Sequence, residues 1–154
     1  MLAEDEPSVA FSVSFALKAD GHNIEIVNDG GQALFELTSK PGAFDVLITD
    51  HSMPRVSGVE LVKRLRDSTF KGKVVVLSAH LSDETRAAYV ALGVEFLIPK
   101  PFDVHGLRAA IRRLGGGEPA THAPQSDELG AGEVYRLLRL GLPETEEPTE
   151  PEPR

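Results

Sequence analysis

The sequence predicts an α/β fold, a doubly wound five-stranded parallel sheet with helices on both faces. Three observations carry this reading. Short apolar runs alternate with helical stripes, the links between them are short, and Val74-Val75-Val76-Leu77 is a continuous apolar run of the kind a strand covered on both faces requires. With 154 residues, 41% hydrophobic and 26% charged, the chain suffices for one domain with a core and is too short for two ordinary ones.

The elements follow in order. The acidic cluster Glu4-Asp5-Glu6 leaves only Met1-Leu2-Ala3 for a first strand, against a usual length of about five residues; this implies a truncated first strand, from an N-terminus clipped by a few residues or a start codon assigned too late, with a naturally short strand as the alternative. Val9, Phe11, Val13, Phe15, Ala16 and Leu17 fall on one broad helical face that stops at Asp20-Gly21. Residues 23–27 alternate as a strand, Asp29-Gly30-Gly31 turns, and Ala33, Leu34 and Leu37 form a helical stripe ending before Pro41-Gly42.

Residues 44–49 read as a buried strand. Ser57, with Glu60 three residues on, signals a capping box and a helix through Leu61, Leu65 and Arg66. Residues 73–78 form the fourth strand, Ser82 caps a helix that Gly93 closes, residues 95–98 form the last strand, and Asp103 caps a helix with Val104, Leu107, Ala110, Ile111 and Leu114 inward. The domain thus spans residues 1–114. Residues 115–126 read as a linker, 127–142 carry the pattern of one short amphipathic helix, and 143–154, with five Glu and four Pro, read as a disordered acidic tail.

Composition excludes several classes of function. There is no cysteine, so disulfides and thiol chemistry are out, and the five histidines show no metal-ligand spacing. The sequence shows no membrane span and no signal peptide, so a cytoplasmic location is expected. The formal charge of −8 divides into −2 for residues 1–114 and −6 for the remainder, which is no footprint for nucleic acid.

Every strand but the second ends in a polar group: Glu4-Asp5, Asp50, Ser78 and Lys100. A parallel sheet puts these ends on one rim, and the strand order 2-1-3-4-5 sets strands 1, 3, 4 and 5 side by side. Three acids, a hydroxyl and an ammonium then converge.

Glu4-Asp5-Glu6-Pro7, Asp50-x-x-Met53-Pro54-x-x-x-Gly58, residues 75–79 and Lys100-Pro101-Phe102 together resemble the receiver domain of two-component response regulators, with its flavodoxin-like (CheY-like) fold. The resemblance covers residues 1–114. It implies that Asp50 accepts a phosphoryl group from a histidine kinase or histidine phosphotransfer protein, with Lys100 and Ser78 engaging the phosphate. Repulsion between the carboxylates calls for a divalent cation, and hard oxygen donors suit Mg²⁺, with Asp5 and Asp50 as direct ligands and Glu4 in the outer shell. By resemblance, the backbone carbonyl of Ser52 completes the set. Any catalysis is limited to Mg²⁺-dependent self-phosphorylation and self-dephosphorylation on Asp50.

The chain departs from the family where a strand-5 aromatic is expected: Leu97 stands three residues before Lys100, and Phe96 points to the other face. His51 and His80 flank the rim and read as solvated loop residues. The leading expectation is a phosphorylatable signalling module, without an output domain of its own, that acts through protein contacts with a target the sequence does not name. The alternative is a receiver-like interaction scaffold indifferent to phosphorylation. A Mg²⁺-dependent phosphatase is disfavoured because Ser52, rather than a further acid, follows Asp50 by two residues.

Overall fold

Strands and helices alternate along the whole of residues 1–115, the part of the chain that the computed structural model describes. They are β1 (Leu2–Ala3), α1 (Pro7–Ala19), β2 (Ile26–Val27), α2 (Gly30–Ser39), β3 (Val46–Asp50), α3 (Gly58–Arg66), β4 (Lys73–Ser78), α4 (Asp83–Ala91), β5 (Phe96–Pro99) and α5 (Val104–Leu114). Gly115 apart, the predicted linker, short helix and acidic tail lie outside the described residues. All pairings are parallel, in the order β2-β1-β3-β4-β5, as the sequence predicts.

Alternation along the strands divides the core into two. Leu47, Val74, Val76 and Leu97 pack with α2, α3 and α4 through Leu37, Leu61, Leu65 and Tyr89. Ile48, Val75, Leu77, Phe96 and Ile98 pack on the opposite face with Val13 and Leu17 of α1 and Leu107 and Ile111 of α5. A bidentate pair from Arg108 to Asp20 ties α5 to the end of α1. The predicted caps are in place: Ser57, Ser82 and Asp103 accept from backbone amides of α3, α4 and α5.

Three local expectations are corrected. The second strand shrinks from residues 23–27 to Ile26–Val27, because its neighbour β1 offers only Leu2 and Ala3 as partners. Phe11 and Phe15 leave the buried face of α1, each 68% exposed, and stack on one another with centroids 6.0 Å apart. The inward face is filled instead by Ala10, Val13, Ser14, Ala16 and Leu17. At α3 only half of the capping box forms, since the Glu60 carboxylate turns to Arg64 at 2.7 Å.

Gly58 shows what holds the β3–α3 connection. A Cβ there would lie 2.5 Å from the Asp50 carbonyl and 2.8 Å from the Tyr89 hydroxyl, so the start of α3 can press on the end of β3 only through a glycine. Gly93 is a glycine for another reason, its φ of +64° with open space around it. Gly58→Ala should therefore lower the unfolding free energy by about 2 kcal/mol through overpacking. Gly93→Ala should cost about 1 kcal/mol through backbone strain alone. Urea titrations of the two variants check both values.

Candidate functional site

Backbone bonds at the strand ends carry four chain segments to one rim. The Glu4 amide donates to Val27 O at 3.0 Å, so Glu4 stays against the sheet while the exposed Asp5 turns out toward α1. Asp50 is the last residue of β3 and is buried. Beyond it the His51 amide donates to Leu77 O and its carbonyl accepts from the Gly58 amide, both at 2.9 Å. The Lys100 amide donates to Ser78 O at 2.7 Å, which extends the β4–β5 ladder to the lysine. The Lys100–Pro101 peptide is cis.

These segments assemble a charged cluster. Lys100 Nζ lies 2.8 Å from Glu4 Oε2 and 2.8 Å from Asp50 Oδ1. The other Asp50 oxygen accepts from the Ser52 amide at 2.9 Å, so both carboxylate oxygens are held. Carboxylate oxygens of Glu4, Asp5 and Asp50 come within 4.8 Å of one another. Burial raises the pKa of Glu4 against the opposing pull of Lys100, and the Asp50 charge raises it further. Burial alone would lower that of Lys100, but its bonds to Asp50 and Glu4 together outweigh it and hold the ammonium above its ordinary value.

The donor set is all oxygen and compact, which fits a hard divalent cation such as Mg²⁺ and not a soft one. Ser78 is buried on the same rim, and its hydroxyl donates to His80 O at 2.9 Å, toward the loop that leads into α4. Leu97 pairs with Val76 and packs in the α2–α3–α4 core, whereas Phe96 occupies the opposite face.

Two contacts beside the site escape the sequence reading. Asp29, the N-cap of α2, is buried, accepts from the Gln32 amide at 2.9 Å and pairs with Arg55. Arg55 has a φ of +64°, the left-handed region that non-glycine residues seldom adopt, and the ion pair fastens the Met53-Pro54-Arg55 turn to α2. His51 is half-buried rather than solvated, with Nδ1 2.8 Å from the hydroxyl of the buried Tyr89. His80 is exposed, as expected. The one signal for Tyr89 was a phenol on the inward side of a helix, where a hydroxyl needs a partner.

The profile of the response regulator receiver domain matches residues 1–112. The chain belongs to this family. The receiver is 30% identical to the transcriptional regulatory protein TrcR of Mycobacterium tuberculosis, over 87% of this chain and 51% of that protein. It spans about half the length of the first curated relatives it resembles. Among solved structures, the chemotaxis protein CheY4 of Vibrio cholerae matches with a TM-score of 0.66 and 30% identity, over 73% of this chain and 94% of that one. The receiver domain of the sensor histidine kinase PA1611 of Pseudomonas aeruginosa, 22% identical, shares the fold with a TM-score of 0.66 over 75% of this chain and 95% of its own. That protein was crystallised with a magnesium ion coordinated in its active site cleft. Among the described residues of the receiver, no helix is long and apolar enough to cross a membrane.

The receiver's acid sensitivity follows from the carboxylates that tether it. The Gln32 amide, and then Arg55, hold Asp29 below its ordinary pKa of 3.8; Arg108 does the same to Asp20. Groups with depressed folded pKa values add stability that is complete above the ordinary value and lost as pH falls through the folded one. Urea midpoints should therefore drop below about pH 3.8. The deficit of Asp29→Asn relative to the parent should be full at neutral pH and should narrow as acid protonates Asp29 in the parent.

Proposed function

We propose that the chain is a phosphoacceptor in a two-component relay, in which Asp50 takes a phosphoryl group from the phosphohistidine of a histidine kinase or histidine phosphotransfer protein. The observation that carries this reading is the Lys100 ammonium, 2.8 Å from Asp50 on a rim where three carboxylates gather. A carboxylate oxygen of Asp50 attacks phosphorus, the P–N bond to the donor imidazole breaks, and the imidazole leaves with the bonding electron pair and takes a proton from solvent. The product is an acyl phosphate on Asp50.

Lys100 exchanges part of its bonding to the carboxylates for the phosphoryl oxygens, and the Ser78 hydroxyl turns from His80 to donate to another. The Ser52 amide keeps the acceptor carboxylate oriented. Mg²⁺ would be held by Asp5, Asp50 and the Ser52 carbonyl, with Glu4 in the outer shell, and would supply positive charge that, with Lys100, balances the phosphoryl group. A magnesium ion lies in the active site cleft of the PA1611 receiver, and the all-oxygen cluster of Glu4, Asp5 and Asp50 supports the same kind of ion here. Output passes through protein contacts.

The exposed Phe11–Phe15 pair is the surface for the phosphodonor. It lies one and two turns into α1, the helix that begins just after Asp5, and is an exposed apolar pair available to a protein donor.

With Mg²⁺ and a small phosphodonor, the parent should gain the mass of one phosphoryl group and Asp50→Asn should gain none, by intact-mass spectrometry. Equal gain by both would sink the reading. No gain by either, with partner binding that is the same for both, would favour the interaction scaffold. Phe11→Ala with Phe15→Ala should slow transfer from a protein donor by roughly ten-fold, a loss of about 1.4 kcal/mol of contact. It should leave transfer from the small donor unchanged, and stopped-time phosphorylation assays separate the two.

A further inference from the structure

Tyr89 is a fully buried tyrosine, and it sits on α4 rather than at the β5 position where the family's aromatic is expected. Its hydroxyl reaches the residue directly after the phosphoacceptor: Oη is 2.8 Å from Nδ1 of His51, and the rings meet edge-on with centroids 5.8 Å apart. The main chain of His51 is pinned on both sides, by Leu77 and by Gly58, which leaves the imidazole as the part of this junction that extends to α4. Gly58 keeps the passage open, since a Cβ there would meet the hydroxyl. Leu97 packs in the same cluster as Tyr89 but has no polar atom with which to sense the site.

The geometry points to Tyr89 as a positioning residue that couples Asp50 to α4 through His51. This rests on the phosphoacceptor reading above. A phosphoryl group adds a charge of about −1.5 to −2 at Asp50, and with the His51 main chain held by Leu77 and Gly58 the imidazole is the part that re-aims in response. A buried hydroxyl cannot leave its partner without being stranded, so α4 follows His51 or the bond breaks; in either case the packing of α4 is biased from Asp50.

The test uses the full chain with Mg²⁺ and beryllium fluoride as a phosphoryl mimic, read by amide hydrogen exchange across residues 83–91. In the parent the mimic should alter exchange at the rim and in α4. Tyr89→Phe keeps the ring and removes the hydroxyl; it should bind the mimic while its α4 response shrinks by about five-fold. His51→Leu should show the same loss, and the double variant no more than either single one, as expected of two ends of one contact. His51→Asn, whose amide can stand near the Nδ1 position, should recover part of the response. A full α4 response in Tyr89→Phe, or a loss in His51→Leu that Tyr89→Phe does not share, overturns the coupling and leaves the phosphoacceptor reading intact. A parent in which no amide responds overturns both.

Discussion

The ammonium of Lys100, 2.8 Å from two buried carboxylates, is the contact on which the arrangement of the rim depends. Two carboxylates 4 Å apart repel by about 4 kcal/mol at an effective dielectric near 20, and burial adds to that cost. Lys100 comes from the end of β5 and reaches past the end of β4 to Asp50 on β3 and Glu4 beyond β1. Such a reach is available only because the parallel strands finish on one side, in an order that sets β1, β3, β4 and β5 side by side. The charge cluster and the sheet topology are therefore one constraint.

The rest of the domain braces this cluster. β1 has only two residues, yet Leu2 and Ala3 are wholly buried between β2 and β3. Met1 adds two bonds to the same edge of β3, its amino group donating to Val46 O at 2.8 Å and its carbonyl accepting from the Ile48 amide at 2.9 Å. The loop after Asp50 is fastened at three points: to β4 through the His51 amide, to α2 through Arg55 and Asp29, and to α4 through His51 and Tyr89. The strained Arg55 backbone belongs to this bracing, since its ion pair helps to offset a conformation that a free loop would leave.

Much of this was legible in the chain itself, for identifiable reasons. Periods of 2 and 3.6 mark which residues face a core, so the alternation of strands and helices and the inward sets of α2 and α5 could be read directly. Caps at Ser57, Ser82 and Asp103 were legible because a cap acts within one turn. Strand ends were less so: β2 stops where β1 ceases to offer partners, and no local signal within residues 23–27 records that. Phe11 and Phe15 misled because hydrophobicity gives a helical face its breadth without saying which part a neighbour covers.

The sequence by itself determined the fold class and the set of polar groups at the strand ends, because each depends on periodicity and on residues close along the chain, whereas the strand order came from the known arrangements of such sheets. Only the tertiary structure decided that Lys100 bonds Glu4 as well as Asp50, that Ser78 turns to His80, and that His51 meets Tyr89. His51 and Tyr89 are 38 residues apart, and Asp29 and Arg55 are 26 apart. Pairings of that kind carry no local pattern. They arise when packed elements bring a donor and an acceptor within reach and one partner, Asp29 or Tyr89, is buried where little water is left to satisfy it.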